Sequence, residues 1–183
     1  LQSKGGMDWD NAQRLLINRS VQAAVFESDA RHLLAEGLPY DRCLVGVVTR
    51  MPKALGLEDL YAGPDEKMPT YIRTQIDVVL PNGTAVLNAA DPLVADLAAH
   101  CDGSVIFYAD DENTLRLQAH LAQAGRVAFW REDQLVLKEG AREHLVLSTK
   151  RPAVARLIKE GLLGADDMLV AACVAWALDI STD

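Results

Sequence analysis

Short apolar runs of strand length alternate along this chain with stretches in which apolar residues return every three or four positions. Over 9–18, Ala12, Leu15 and Leu16 fall at helical spacing, and the run 23–26 (AAVF) then reads as a buried strand. Positions 30–38 are helical in pattern, 44–49 (LVGVVT) form a β-branched run of strand length, and 57–61 suit a short helical turn. Over 68–80, Tyr71, Ile72, Ile76 and Val79 mark a helix that Pro81-Asn82-Gly83 ends with turn chemistry, before a strand over 84–88. Asp91 is placed to cap a helix reaching about His100 with Pro92 at its first position, because a carboxylate satisfies the unpaired N–H groups of a first turn. A strand over 104–108 and a helix over 113–124 continue the alternation.

The rhythm then changes. Positions 126–130, 134–138 and 144–148 are close-spaced strand candidates joined by polar segments, some carrying glycine, which predicts an antiparallel addition. Beyond Arg151-Pro152 an irregular or partly helical stretch is expected, and 168–178 (MLVAACVAWAL) is apolar almost all round, predicting a largely buried helix. Together these elements predict the α/β class: a mostly parallel sheet flanked by helices, with an antiparallel strand addition near 126–148. No internal repeat, low-complexity tract or proline-rich linker interrupts the chain, so 183 residues are expected to form a single domain over 1–183.

Composition narrows the function classes. Charged residues make up 24% of the chain with both signs interspersed and a net charge of -8, which argues against a nucleic-acid partner. Cys43, Cys101 and Cys173 stand far apart with no zinc-ligand spacing, so a reduced, cytoplasmic protein is expected. No apolar run approaches the roughly 20 residues that span a bilayer, and no membrane partner is expected. The polar, glycine-bearing opening LQSKGGMDWD, which starts on Leu1 and lacks a secretory pattern, suggests a piece of something longer.

Candidate chemistry is sparse. There is no GxxxxGK[ST], hence no backbone cradle for nucleotide phosphates. Glu27 follows the expected strand over 23–26, and a carboxylate at the carboxyl end of a parallel strand lies where open α/β sheets bind ligands; it would suit magnesium held through water, or serve as a solvated loop residue. Asn88 ends the strand over 84–88 at the same kind of position, where its amide would read a base through paired hydrogen bonds or hold only the turn. His32, His100, His120 and His144 pair with no nucleophile or second ligand, and Arg50, Lys53, Arg73, Lys150, Arg151 and Arg156 read as solvated surface charges. No catalytic residue is assigned. The segment GLEDLYAGPDEKMP reads equally as a mobile loop or a surface connection.

At a larger scale, AAVFESDARHLLAEGLPYDRCLVGVVTRMPK, DVVLPNGTAVLNAADPLVADLA, CDGSVIFYAD and MLVAACVAWALDI resemble, in that order, the Mur-ligase-like part of the cyanophycin synthetase family. The resemblance implies a Mur-ligase central-domain-like fold and an ATP-dependent enzyme that polymerises aspartate and arginine through acyl-phosphate intermediates. It also implies ATP and Mg2+ as cofactors of the intact parent, Glu27 as a magnesium ligand and Asn88 as the residue beside the adenine. The family's phosphate loop would lie upstream of Leu1, so this chain is expected to be inactive alone and to bind neither cofactor. Some positions depart from the pattern. His32-Leu33 replace a glycine pair, Arg50 an asparagine, Lys53-Ala54-Leu55-Gly56 an Asp-His-Leu-Gly stretch, Ala89 or Ala90 an aspartate, and Ile72 or Arg73 a lysine. Two readings follow: part of a ligase, or a non-catalytic Mur-like scaffold or regulatory module. A sheet lacking an upstream strand would leave an edge exposed, and a homo-oligomer is expected.

Overall fold

A computed structural model describes residues 9–61 and 63–180; the opening stretch from Leu1 through residue 8 lies outside the described residues. The chain divides into two compact units, one of residues 1–41 with 52–72 and the other of residues 42–51 with 73–183. Each is described by itself.

In the first unit the helical spacing gives α1 (Trp9–Ile17) and α2 (Ala30–Glu36). Asp29 caps α2 by accepting from the backbone N–H of His32 at 2.9 Å, and the helix stops at Gly37, whose φ of 76° costs a side-chain-bearing residue strain. Residues 23–26 form no strand. They run as chain without regular structure, with Val25 89% exposed and Phe26 stacked on Tyr40 at 5.8 Å between ring centroids. An apolar run of four supplies side chains for a strand but not the ladder partner its N–H and C=O groups need. At 57–61 the expected turn is present, with the N–H groups of Leu60 and Tyr61 both donating to the Leu57 carbonyl. The unit ends on α3 (Met68–Ile72), which buries Met68 and Ile72.

The helix expected over 68–80 is broken. After α3 it restarts in the second unit as α4 (Thr74–Asp77), and Val79 and Leu80 already belong to a strand. Helical spacing loses to strand pairing there because Val79, fully buried, sits opposite Cys43 in the ladder.

The second unit is built on a six-stranded sheet whose order follows the chain: β1 (Cys43–Val48), β2 (Val79–Asn88), β3 (Ser104–Asp111), β4 (Arg126–Arg131), β5 (Gln134–Glu139) and β6 (Arg142–Ser148). The first four strands run parallel, and β5 and β6 return antiparallel, as the change of rhythm at residue 126 predicts. Pro81-Asn82-Gly83 does not precede β2 but lies inside it. The register jumps from Cys43 opposite Val79 to Val45 opposite Thr84, so the turn chemistry is absorbed as a bulge.

Alternation along the strands separates two faces. One carries Val86, Ile106, Tyr108, Ala128, Leu135 and Leu137 and packs against Val154 of α7 (Pro152–Lys159) and Met168, Leu169 and Cys173 of α8 (Ala165–Ala177). The other carries Leu87, Phe107, Val127 and Phe129, all buried, and is covered by α4, α5 (Pro92–Ala95) and α6 (Leu115–Ala122). A 3₁₀ turn over Asp96–His100 extends α5, so the helix expected from Asp91 to His100 forms in two pieces. Gly46 in β1 lets α4 close in: a Cβ there would stand 2.6 Å from the Gln75 carbonyl oxygen.

The stretch after Arg151-Pro152 is partly helical, as expected, with a helix from Pro152 to Lys159 that has its proline at the start. One expectation near the carboxyl terminus changes. Helix α8 buries only Met168, Leu169 and Cys173, while Val170, Val174 and Trp176 are half-exposed, because a single sheet face covers one side of it. No helix among the described residues is long and apolar enough to cross a membrane.

Candidate functional site

Parallel strands β1 to β4 bring their carboxyl ends to one edge of the sheet, the usual position of ligand sites in open α/β folds. Asn88, half-buried at the end of β2, ties that edge together. Its side-chain amide donates to the Thr49 carbonyl at 3.0 Å, and its side-chain oxygen accepts from the Ala90 N–H at 2.9 Å. One amide N–H and one oxygen lone pair are left over, the pair of groups that reads a complementary donor–acceptor edge.

Asp91 is more fully committed. One carboxylate oxygen accepts from the N–H groups of Leu93 at 3.0 Å and Val94 at 3.4 Å, capping α5, and the other accepts from the Met51 N–H at 2.9 Å. It therefore clamps the segment after β1 to the start of α5, and the capping reading accounts for it.

Glu27 lies in the first unit, exposed, in the stretch where no strand forms, so the strand end that was to place it is absent. Asn88 lies in the second unit. Around Glu27 the polar groups are occupied locally. Asp29 pairs with His32 and is held below the usual carboxylate range, first by the His32 backbone N–H. Arg31 holds Asp59 at 2.8 Å and also donates to the Gly56 carbonyl at 2.6 Å. His32, one of the departures from the family pattern, thus serves the cap of α2. Among the described residues no three His, Cys, Asp or Glu side chains gather as a metal site, and the magnesium role of Glu27 has no such cluster beside it.

The remaining candidates sort as surface chemistry. Arg73 pairs with Asp77, Lys150 with Asp133 and Arg156 with Glu160, while Lys53 and Arg151 are exposed. His120 is half-buried, its imidazole 3.1 Å from the Val105 carbonyl and edge-on to Phe107, and partial burial pushes its pKa down.

Several groups at the carboxyl edge have no counterpart in the motif reading. Arg131, at the end of β4, binds Glu112 at 2.9 Å and Glu143 at 2.6 Å. Asp110 is the last residue but one of β3, and Asp166 lies in the first turn of α8. The Asp166 carboxyl is pushed up by burial and then by the charges of Asp110 and Asp167, while Arg50 pulls it down. Among the described residues the buried Tyr108 hydroxyl finds no hydrogen-bond partner, nor does the Trp130 indole N–H. The available signal was an aromatic near the acidic end of a strand; nothing in it announced that α8 would pack on that strand.

No family model matches the chain. Curated relatives do, among them three cyanophycin synthetases. Those of Crocosphaera subtropica and Synechocystis sp. are 32% identical over 131 residues and 33% identical over 132 residues, covering 71% and 72% of this chain. That of Geminocystis herdmanii is 32% identical over 127 residues, 69% of the chain. The matched stretch is only 15%, 15% and 14% of these relatives' own length.

Proposed function

Because this chain resembles one segment of the cyanophycin synthetases, we propose that it supplies part of an ATP-dependent acid–amino-acid ligase. On this reading residues 1–183 are a partial Mur-ligase-like domain of a cytoplasmic enzyme that extends a polymer of aspartate and arginine. The phosphate cradle, on this reading, is not among these 183 residues, which contain no GxxxxGK[ST], and they are inactive by themselves. ATP is the nucleotide and Asn88 meets its adenine.

The observation that carries the reading is the half-buried amide of Asn88 at the carboxyl edge of a parallel sheet, with a donor and an acceptor to spare, in a segment matched by the relatives. An adenine edge offers the complementary pair: a ring nitrogen that accepts and an amine that donates. Magnesium stands differently. Glu27 supplies one carboxylate, enough for a water-mediated contact, but the described residues gather no set of ligands around it, so no step is derived through the ion.

A second reading, a non-catalytic scaffold, is favoured by that same isolation of Glu27 and by the replaced positions His32, Arg50 and Ala89 or Ala90. The two readings part in one assay. In the protein expressed from its complete reading frame, arginine-dependent ADP release is expected, and Glu27→Ala lowers it at least tenfold. Release that is absent from the folded wild type, or identical in the variant, supports the scaffold.

A further inference from the structure

A nucleotide whose base meets Asn88 brings phosphates to the carboxyl edge, and that edge is otherwise acidic. Asp110 and Asp111 close β3, and Asp91 caps α5. Like charges repel, so phosphates held here need a cation beside them. Among the described residues no ligand set for a metal ion gathers. Two arginines stand at or just past the carboxyl ends of the parallel strands. Arg131, the last residue of β4, is spent on Glu112 at 2.9 Å and Glu143 at 2.6 Å. Arg50, two residues beyond β1, is exposed, and its guanidinium makes no hydrogen bond or ion pair among the described residues.

The backbone on both sides of Arg50 is fixed by the base site itself. The Asn88 amide donates to the Thr49 carbonyl at 3.0 Å, and the Met51 N–H donates to Asp91 at 2.9 Å. An arginine on so constrained a backbone, with its guanidinium uncommitted, suits phosphate oxygens, because its planar array of N–H donors makes charge-assisted hydrogen bonds to them. The bland alternative is that Arg50 only offsets the charge of Asp166, whose carboxyl it pulls down. That role needs neither clamp. Arg50 also stands where the family pattern has an asparagine, so the cation is a feature of this chain.

We propose that Arg50 receives the phosphates of the nucleotide whose base Asn88 reads. The proposal rests on the Asn88 reading and extends it to the other end of the same ligand.

The test is the affinity for ATP and for adenosine, with divalent metal chelated, in the protein expressed from its complete reading frame. A phosphate cradle outside these residues is common to every variant and cancels from the comparison. Arg50→Asn is expected to weaken ATP about tenfold and to leave adenosine unchanged, as the loss of a charge-assisted hydrogen bond predicts. Arg50→Lys keeps part of the ATP affinity, and Arg142→Asn, an exposed charge at the start of β6, changes neither ligand. The proposal is overturned if Arg50→Asn leaves the ratio of ATP to adenosine affinity at its wild-type value, or if Arg142→Asn lowers that ratio equally. In either case it falls alone when Asn88→Ala still reduces the preference for ATP over ITP, and it falls together with the base reading when Asn88→Ala does not.

Discussion

The two units of this chain place their candidate residues by different physics. In residues 42–51 and 73–183, Asn88 stands at the end of a strand whose neighbours fix it and Asp91 caps the helix that follows, so both occupy defined positions with defined partners. In residues 1–41 and 52–72, local caps and exposed ion pairs such as Arg31–Asp59 hold the chain, and Glu27 rides on a stretch with no ladder. A strand end is a positioning device only when the strand has a partner.

The largest effects should come from the sheet. Ile106→Ala removes a fully buried side chain facing α8 and is expected to cost about 3 kcal/mol, whereas Val25→Ala, on the exposed stretch, should stay within about 0.5 kcal/mol. Urea unfolding of both variants measures the contrast, and equal losses would break it. Asp91→Ala comes next. Losing the α5 cap and the tie to Met51 is expected to cost about 1–2 kcal/mol, with Asp91→Asn recovering part of it, read from the same curves.

Smaller still is a pH effect. Burial lowers the His120 pKa, so the unfolded chain binds the proton more readily. The stability His120 permits is therefore complete above the unfolded imidazole value, about 6.5, and is lost as pH falls from there through the lower folded value. Thermal melts from pH 8 to 5 should show this slope in the wild type and lose it in His120→Gln. The smallest shift concerns Asp166, whose raised pKa means that its charge opposes folding at neutral pH. Asp166→Asn should raise the melting temperature slightly at pH 7 and leave it unchanged at pH 3, where the carboxyl is protonated in both states.

Legibility in the sequence follows the same division. Where apolar runs are long and β-branched, as over 44–49, or where turn chemistry separates close strands, as after residue 126, the elements form as read, including the switch from parallel to antiparallel. The four-residue run at 23–26 failed because length and hydrophobicity do not supply a ladder partner. The helix over 68–80 failed at its far end because pairing of Val79 with Cys43, a contact distant in sequence, overrode a local spacing. Asp91 was readable, since capping is a local event between neighbours. The packing of Tyr108 against Met168, Leu169 and Cys173 was not, because it depends on α8, a helix distant in sequence, covering β3.

The central claim is that Asn88 reads a base at the carboxyl edge. The most direct measurement is the ratio of ATP to ITP affinity in the protein from its complete reading frame, for the wild type and for Asn88→Ala. Inosine lacks the amine that the spare acceptor of Asn88 would receive, so the wild type should prefer ATP and the variant should lose about tenfold of that preference. Loss of the Thr49 tie alone would weaken both nucleotides alike, and a ratio unchanged by Asn88→Ala would contradict the account.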